Sequence, residues 1–174
     1  SYLDNLDSIF SKKLANSFNT VTLFNTIQYH FESNESVDRI FMNVKENIKL
    51  NGYFIVTCLD GELVYSLLKK HMYEKTLPVK GTVYDKYDDE DRDVWKLNIN
   101  SSGLTRLDWE NLPSTIEDGF NNPITVSFNP ITKDTTEYLV NKKLLINVAS
   151  KFGLQIVSSD EIKNNFSFLT KGTG

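Results

Sequence analysis

The sequence predicts an α/β fold, and three observations predict it. A β-branched and aromatic run at Thr20–Phe24 is followed closely by apolar residues at helical spacing, Val37, Ile40, Phe41, Val44 and Ile48. A near-continuous apolar run, Tyr53–Cys58, comes next and has the character of a strand buried in a parallel sheet. Strand, helix and strand within about forty residues make a βαβ unit with a right-handed crossover. Later strands at Ile124–Phe128, Thr135–Val140 and Leu154–Val157 are expected to add an antiparallel part to that core.

The first fifteen residues hold an acidic turn, Asp4–Ser8, then a helical turn with Phe10 and Leu14. Ser33 is placed to cap the first long helix, with Glu35 in its favourable first turn, and Asn51-Gly52 supplies a left-handed ending. Asp60-Gly61 turns into a second helix, Glu62–Met72, with Leu63, Leu67 and Leu68 facing inward. Between Thr76 and Pro123 the periodicity fails, apart from the alternating strand Trp95–Ile99. Trp109 and Phe120 are expected to anchor the long loop there. A third helix spans Asn141–Phe152, with Leu144, Leu145, Val148 and Phe152 on one side and Gly153 as its cap. A last helix begins near Asp160, and no repeat or linker divides the chain, so residues 1–174 are expected to form one domain.

Composition excludes several classes. With 40% apolar and 24% charged residues the chain is an ordinary globular one, and no apolar run is long enough to span a bilayer. A single cysteine, Cys58, rules out an internal disulfide framework and fits a reducing, intracellular compartment. The net charge of −4 lacks the basic footprint of a sequence-independent nucleic-acid binder, so any RNA partner is gripped locally. Cys58 lies within a strand with no histidine near it in sequence, which favours a structural thiol over a nucleophile. His30 and His71 are too far apart in sequence to suggest zinc, and Asp88–Asp93 lacks the glycine hinge and final glutamate of a calcium loop, which favours a solvated surface loop. No metal site is expected. Neither a G-x-G-x-x-G turn nor a Walker loop is present.

The polar aromatic stretch after the first strand, Asn25 to Glu32, has two readings. It closes the core, or it forms a site at the carboxyl end of the strand, where ligands of open α/β sheets bind.

The run Leu23-Phe-Asn-Thr-Ile-Gln-Tyr-His-Phe-Glu-Ser33 resembles the Q-F-x-x-H-Y-x-F-E-S signature of mRNA cap (guanine-N7) methyltransferases. Asn51–Thr57, Asp60–Leu63, Phe128–Pro130 and Thr136–Val140 are similar, in the same order, to further family segments, with a particular likeness to the capping enzymes of poxviruses. The resemblance implies a class I S-adenosylmethionine-dependent (Rossmann-like) fold, a mixed sheet with helices on both faces. These residues would be the C-terminal two-thirds of its catalytic domain, and the glycine-rich N-terminal portion would precede Ser1. It implies methyl transfer from S-adenosylmethionine to N7 of the GpppN cap of mRNA. Tyr29 would lie between donor and guanine, and Glu137 would accept from the guanine Watson–Crick edge. Asp7, Ser8, Phe24, Asn25 and Tyr29 would fall at the donor, and Gln28, Tyr29, Leu59 and Glu137 at the cap. Phe24 and Asn25 stand where the family has glutamine and phenylalanine, and Gln28 where it has histidine. With the glycine-rich turn outside it, this stretch alone is expected to bind the donor weakly. Partners implied are capped mRNA and other parts of a capping enzyme. The expected location is cytoplasmic for a viral source and nuclear for a cellular one. Two other functions fit the same residues: a non-catalytic methyltransferase-like subunit, and a methyltransferase acting on a small molecule.

Overall fold

A computed structural model describes residues 16–87, 90–99, 119–128 and 132–165. Its elements are β1 (Phe18–Phe24), α1 (Ile27–His30), α2 (Asn34–Asn47), β2 (Ile48–Thr57), α3 (Gly61–Tyr73), β3 (Val79–Asp85), β4 (Glu90–Ile99), β5 (Pro123–Phe128), β6 (Thr132–Tyr138), α4 (Lys142–Lys151) and α5 (Ser159–Asn165). The expected turn around Phe10 and Leu14 and the anchor Trp109 lie outside the described residues. The architecture is mixed α/β. Its described strands form two sheets rather than one: a parallel pair β1-β2, and an antiparallel sheet in the order β3-β4-β5-β6.

The β1–α2–β2 unit forms as the periodicity predicts. Ser33 caps α2 by accepting from the Ser36 amide at 3.2 Å, and Val37, Phe41 and Val44 are buried on its inner face. The helix ends at Asn47, however, so Asn51-Gly52 is not its cap. Ile48 opens β2 opposite Phe18, and the next pair in register is Thr20 with Tyr53, so the residues between bulge from the ladder. Asn51 takes the left-handed φ of +63° there, and a Cβ on Gly52 would lie 2.9 Å from the Asn19 carbonyl. Asn-Gly serves a helix end and a bulge equally well, so the dipeptide alone does not distinguish them.

Nor is β2 buried on both faces. Phe54 and Val56 face α2 and α4, where the Phe54 ring meets Phe41 edge-on at 5.8 Å, while Ile55 between them is 42% exposed. Among the described residues β2 borders β1 alone and so lies at an edge, contrary to the burial in a parallel sheet that its composition predicts.

The antiparallel sheet buries one face under α3: Val64, Tyr65 and Leu68 pack on Val79, Leu97, Ile99, Ile124, Val126 and Leu139. Leu63, expected inward, is 71% exposed. Leu67 and Leu68 pack at the sheet as expected, and only the position of the sheet decides that the apolar contact stops short of Leu63. Strand β3 went unread in the sequence, and β4 starts earlier than expected. Residues 90–93 of the acidic run belong to β4 and pair with β3 rather than forming a loop; Asp88 and Asp89 are outside the described residues. That stretch of β4 extends past the start of its pairing with β5 at Trp95, so it forms a ribbon wet enough to carry charge. Lys80 and Asp93 pair across it at 2.6 Å.

Leu154–Val157 is not a strand. Gly153, at φ +83°, donates to the Ser150 carbonyl and Leu154 to Ala149, a pair of bonds that closes α4 and uses Leu154 as part of the helix ending. The start of α3 is as well defined: Asp60 accepts from the amides of Glu62 and Leu63 at 3.0 and 3.2 Å. Asp60→Ala is expected to cost about 1 kcal/mol, read as a lower urea midpoint with an unchanged slope. An unaltered midpoint would show that solvent replaces the cap without loss.

Candidate functional site

Two distant elements meet at the centre of this site. Immediately after β1, Asn25 adopts a φ of +48°, and its amide bonds the Thr57 carbonyl at 2.8 Å, tying together the carboxyl ends of the two parallel strands. The single turn α1 follows. Ile27 and Phe31, four residues apart, are fully buried, and Phe31 packs on Phe120 with ring centroids 5.3 Å apart. Phe120 is thus an anchor, as its aromatic character suggested. Two buried side chains at that spacing fix the turn's rotation, leaving Gln28 inside and Tyr29 41% exposed.

The other element is β6. Ile124 pairs with Glu137 and Val126 with Thr135, and paired residues share a face, so Glu137 stands on the core side of the sheet. A charged residue occupies a position that alternation reserves for an apolar one. Glu137 is accordingly only 5% exposed, unlike an ordinary solvent-facing cross-strand glutamate.

Tyr29 and Glu137 are in contact: the phenol donates to Glu137 Oε1 at 3.1 Å. The Gln28 side chain lies close to the carboxylate as well and favours its charged form. Burial pushes the Glu137 carboxyl above its ordinary range, against the opposing effects of the Tyr29 hydrogen bond and then of Gln28. Burial, followed by the charge of Glu137, pushes the Tyr29 phenol up as well, so Tyr29 stays a neutral donor. Thr135 lies beside Tyr29 at the edge of the group, its hydroxyl donating to the Val126 carbonyl at 3.1 Å. Sequence reasoning missed Thr135, although it lies two residues before Glu137 on the same face of the strand.

The remaining candidates are dispersed. Phe24 ends β1 with 58% of its surface exposed, and Asn25 is occupied with Thr57, whose hydroxyl donates to its side-chain oxygen at 3.3 Å. Leu59 packs against the core beneath the antiparallel sheet. Asp7 and Ser8 lie outside the described residues. His30 hydrogen-bonds Ser36 and His71 hydrogen-bonds Thr76, and among the described residues no three of His, Cys, Asp and Glu gather to hold a metal. Burial, and then the charge of Asp60, raises the Cys58 thiol, away from a reactive thiolate. No described helix is long and apolar enough to cross a membrane.

The relatives point the same way as the motif. One is the mRNA cap guanine-N(7) methyltransferase of Saccharomyces cerevisiae, 24% identical over 132 residues, or 76% of this chain. The chain is similar to mRNA cap guanine-N7 methyltransferases. The corresponding enzyme of Eremothecium gossypii is 22% identical over 130 residues, or 75% of the chain. Both cap methyltransferases are much longer: the match spans 27% of each. No family model matches the chain.

Proposed function

We propose that this chain is part of the catalytic domain of an mRNA cap guanine-N7 methyltransferase with a class I methyltransferase fold. The observation that carries the reading is the contact between Tyr29 and Glu137, since the motif nominates these two residues for one pocket from opposite ends of the chain. Likeness to two fungal enzymes of that name supports it. Capped transcripts inside a cell, in nucleus or cytoplasm, are then its substrate, and other parts of a capping enzyme its partners.

The chemistry asks for position rather than proton transfer. Guanine N7 carries its own lone pair, so no general base is needed, and holding the reactants in line supplies most of the acceleration. When bound, S-adenosylmethionine supplies a methyl group already activated by its sulfonium. Of the residues that fit this donor, Phe24 offers an exposed ring at the carboxyl end of β1, the side of the sheet where such ligands lie. Asn25 holds the ends of β1 and β2 together beneath it. The glycine-rich turn and ribose-binding acid of such a site are not among these residues.

Glu137 accepts from guanine N1–H and the 2-amino group. Positive charge grows on the purine as N7 is methylated, and a buried carboxylate on the opposite edge stabilises the charged state more than the neutral one. Tyr29, half-exposed above it, orients the carboxylate and closes one side of the base.

Methyl transfer by the full-length protein to GpppA and ApppA tests the proposal. GpppA should be methylated and ApppA should not, because adenine presents no N1–H. Tyr29→Ala should lose roughly a hundredfold in rate. Equal use of the two caps, or a fully active Tyr29→Ala, would rule the mechanism out. Absence of transfer to either would favour a non-catalytic subunit.

A further inference from the structure

To receive the edge of a purine, the Glu137 carboxylate has to be open to solvent, yet Glu137 is only 5% exposed. A base has no access to it in this state, so a group that covers it has to move. The backbone of α1 is held on both sides. Ile27 and Phe31 are fully buried, and the Asn25 amide is tied to the Thr57 carbonyl at 2.8 Å. The Tyr29 side chain is under no such restraint. It is 41% exposed, and its contact with the carboxylate is the single hydrogen bond to Oε1 at 3.1 Å. Rotation about χ1 carries an exposed ring of this kind into solvent without disturbing the turn that bears it.

Toward a carboxylate, a phenol O–H and a purine N–H are equivalent, each a single donor to one oxygen. We propose that Tyr29 holds the site shut in the unliganded protein: its hydroxyl fills the place of a guanine donor on Glu137, and the cap docks only after the phenol has swung away. This rests on the cap reading above and adds to it a closed, autoinhibited state of the same site. Hydrogen bonds to a charged acceptor are among the stronger ones, so the closed state predominates when no cap is present. The apparent affinity for the cap is then reduced by the fraction of molecules that are open. Guanine restores the lost bond with its own donors. Adenine has an acceptor at N1 and leaves the carboxylate unanswered, so opening for it is not rewarded.

The experiment titrates GpppA into the full-length protein and its Tyr29→Phe variant by calorimetry, beside urea unfolding of both. Phenylalanine keeps the ring that lies along the base and removes the hydroxyl alone, unlike Tyr29→Ala, which removes both. The dissociation constant should fall about tenfold in Tyr29→Phe. The urea midpoint should fall as well, because the free protein loses a hydrogen bond that the complex has already given up. A hydroxyl that merely supported the site would take affinity and stability down together. A crystal structure of the parent with GpppA serves if the variant does not fold, and should place the Tyr29 hydroxyl beyond hydrogen-bond reach of Glu137. Unchanged or weaker binding by Tyr29→Phe, or a Tyr29–Glu137 bond retained in the complex, overturns the closed state and leaves the cap reading standing. Failure of the parent to bind GpppA in preference to ApppA overturns the cap reading and the proposal with it.

Discussion

Glu137→Gln is expected to slow methyl transfer to GpppA roughly a hundredfold, with little change in stability. The amide keeps the shape of the carboxylate, and its oxygen still accepts from Tyr29. It places its own N–H₂ against donors of the guanine edge, however, and carries no charge to answer the one that grows on the purine. Folding has little to lose, because burial already works against the carboxylate and a neutral amide is cheaper to bury. The same burial sets a pH dependence. With the folded pKa raised above the unfolded one, the native state holds its proton more tightly, so Glu137 opposes stability as pH rises through the raised value. Activity moves in the opposite sense, needing the ionised form. It should fall on acidification through a window lying above the usual carboxylate range, and that limb should be missing from the residual activity of Glu137→Gln. Rates measured across pH for both proteins check this; an acid limb common to the two would assign the titration to another group.

Gly61→Ala is expected to destabilise the fold by about 3 kcal/mol, the upper end of overpacking. The Gly61 amide bonds the Val140 carbonyl at 3.2 Å, and a Cβ at Gly61 would lie 2.3 Å from that oxygen and 2.8 Å from its carbon. Its neighbour is backbone, which cannot turn aside as a side chain can. The start of α3 and the chain just beyond β6 must separate, and Val140 is three residues past Glu137, so the carboxylate shifts with it. Gly153→Ala makes a useful contrast. Nothing lies within 4 Å of a Cβ there, but φ is +83°, so its cost is conformational, about 1 kcal/mol. Urea unfolding of both variants separates crowding from backbone strain, and an equal, small loss in each would show that α3 and β6 part without penalty.

What could be read in advance was what is local. The inner face of α2, the cap at Ser33, the turn into α3 at Asp60 and the ending at Gly153 follow from spacing and from residues with one use each. Strand β3 was hidden because Gly81 interrupts its alternation, and that glycine is there to make room for the Trp95 side chain opposite it. Whether strands join one sheet or two depends on edges that no segment reveals on its own. Leu63 was misplaced for a similar reason, since a helical stripe does not say what it faces. Tyr29 and Glu137 were nominated by resemblance. The alternation of Thr135, Glu137 and Leu139 places the glutamate on a buried face only once Leu139 is known to be inside. The covering of Glu137 by Tyr29 has no sequence signature, being a property of the contact and not of either residue.

The partners in the central hydrogen bond are separated by 108 positions along the chain. Turns, helices and the β5–β6 hairpin close over short loops, whereas this contact joins a turn near one end to a strand near the other. Chain entropy charges longer closures more, though each doubling adds only about 0.6 kcal/mol, and contacts so distant form late during folding. Tyr29 and Glu137 are therefore expected to meet after the hairpin and α2 have formed. Substitutions of either residue should leave the refolding rate almost unchanged and appear, if at all, in the rate of unfolding. In this sense the pocket is expected to behave as a clasp, fastened late and early to open.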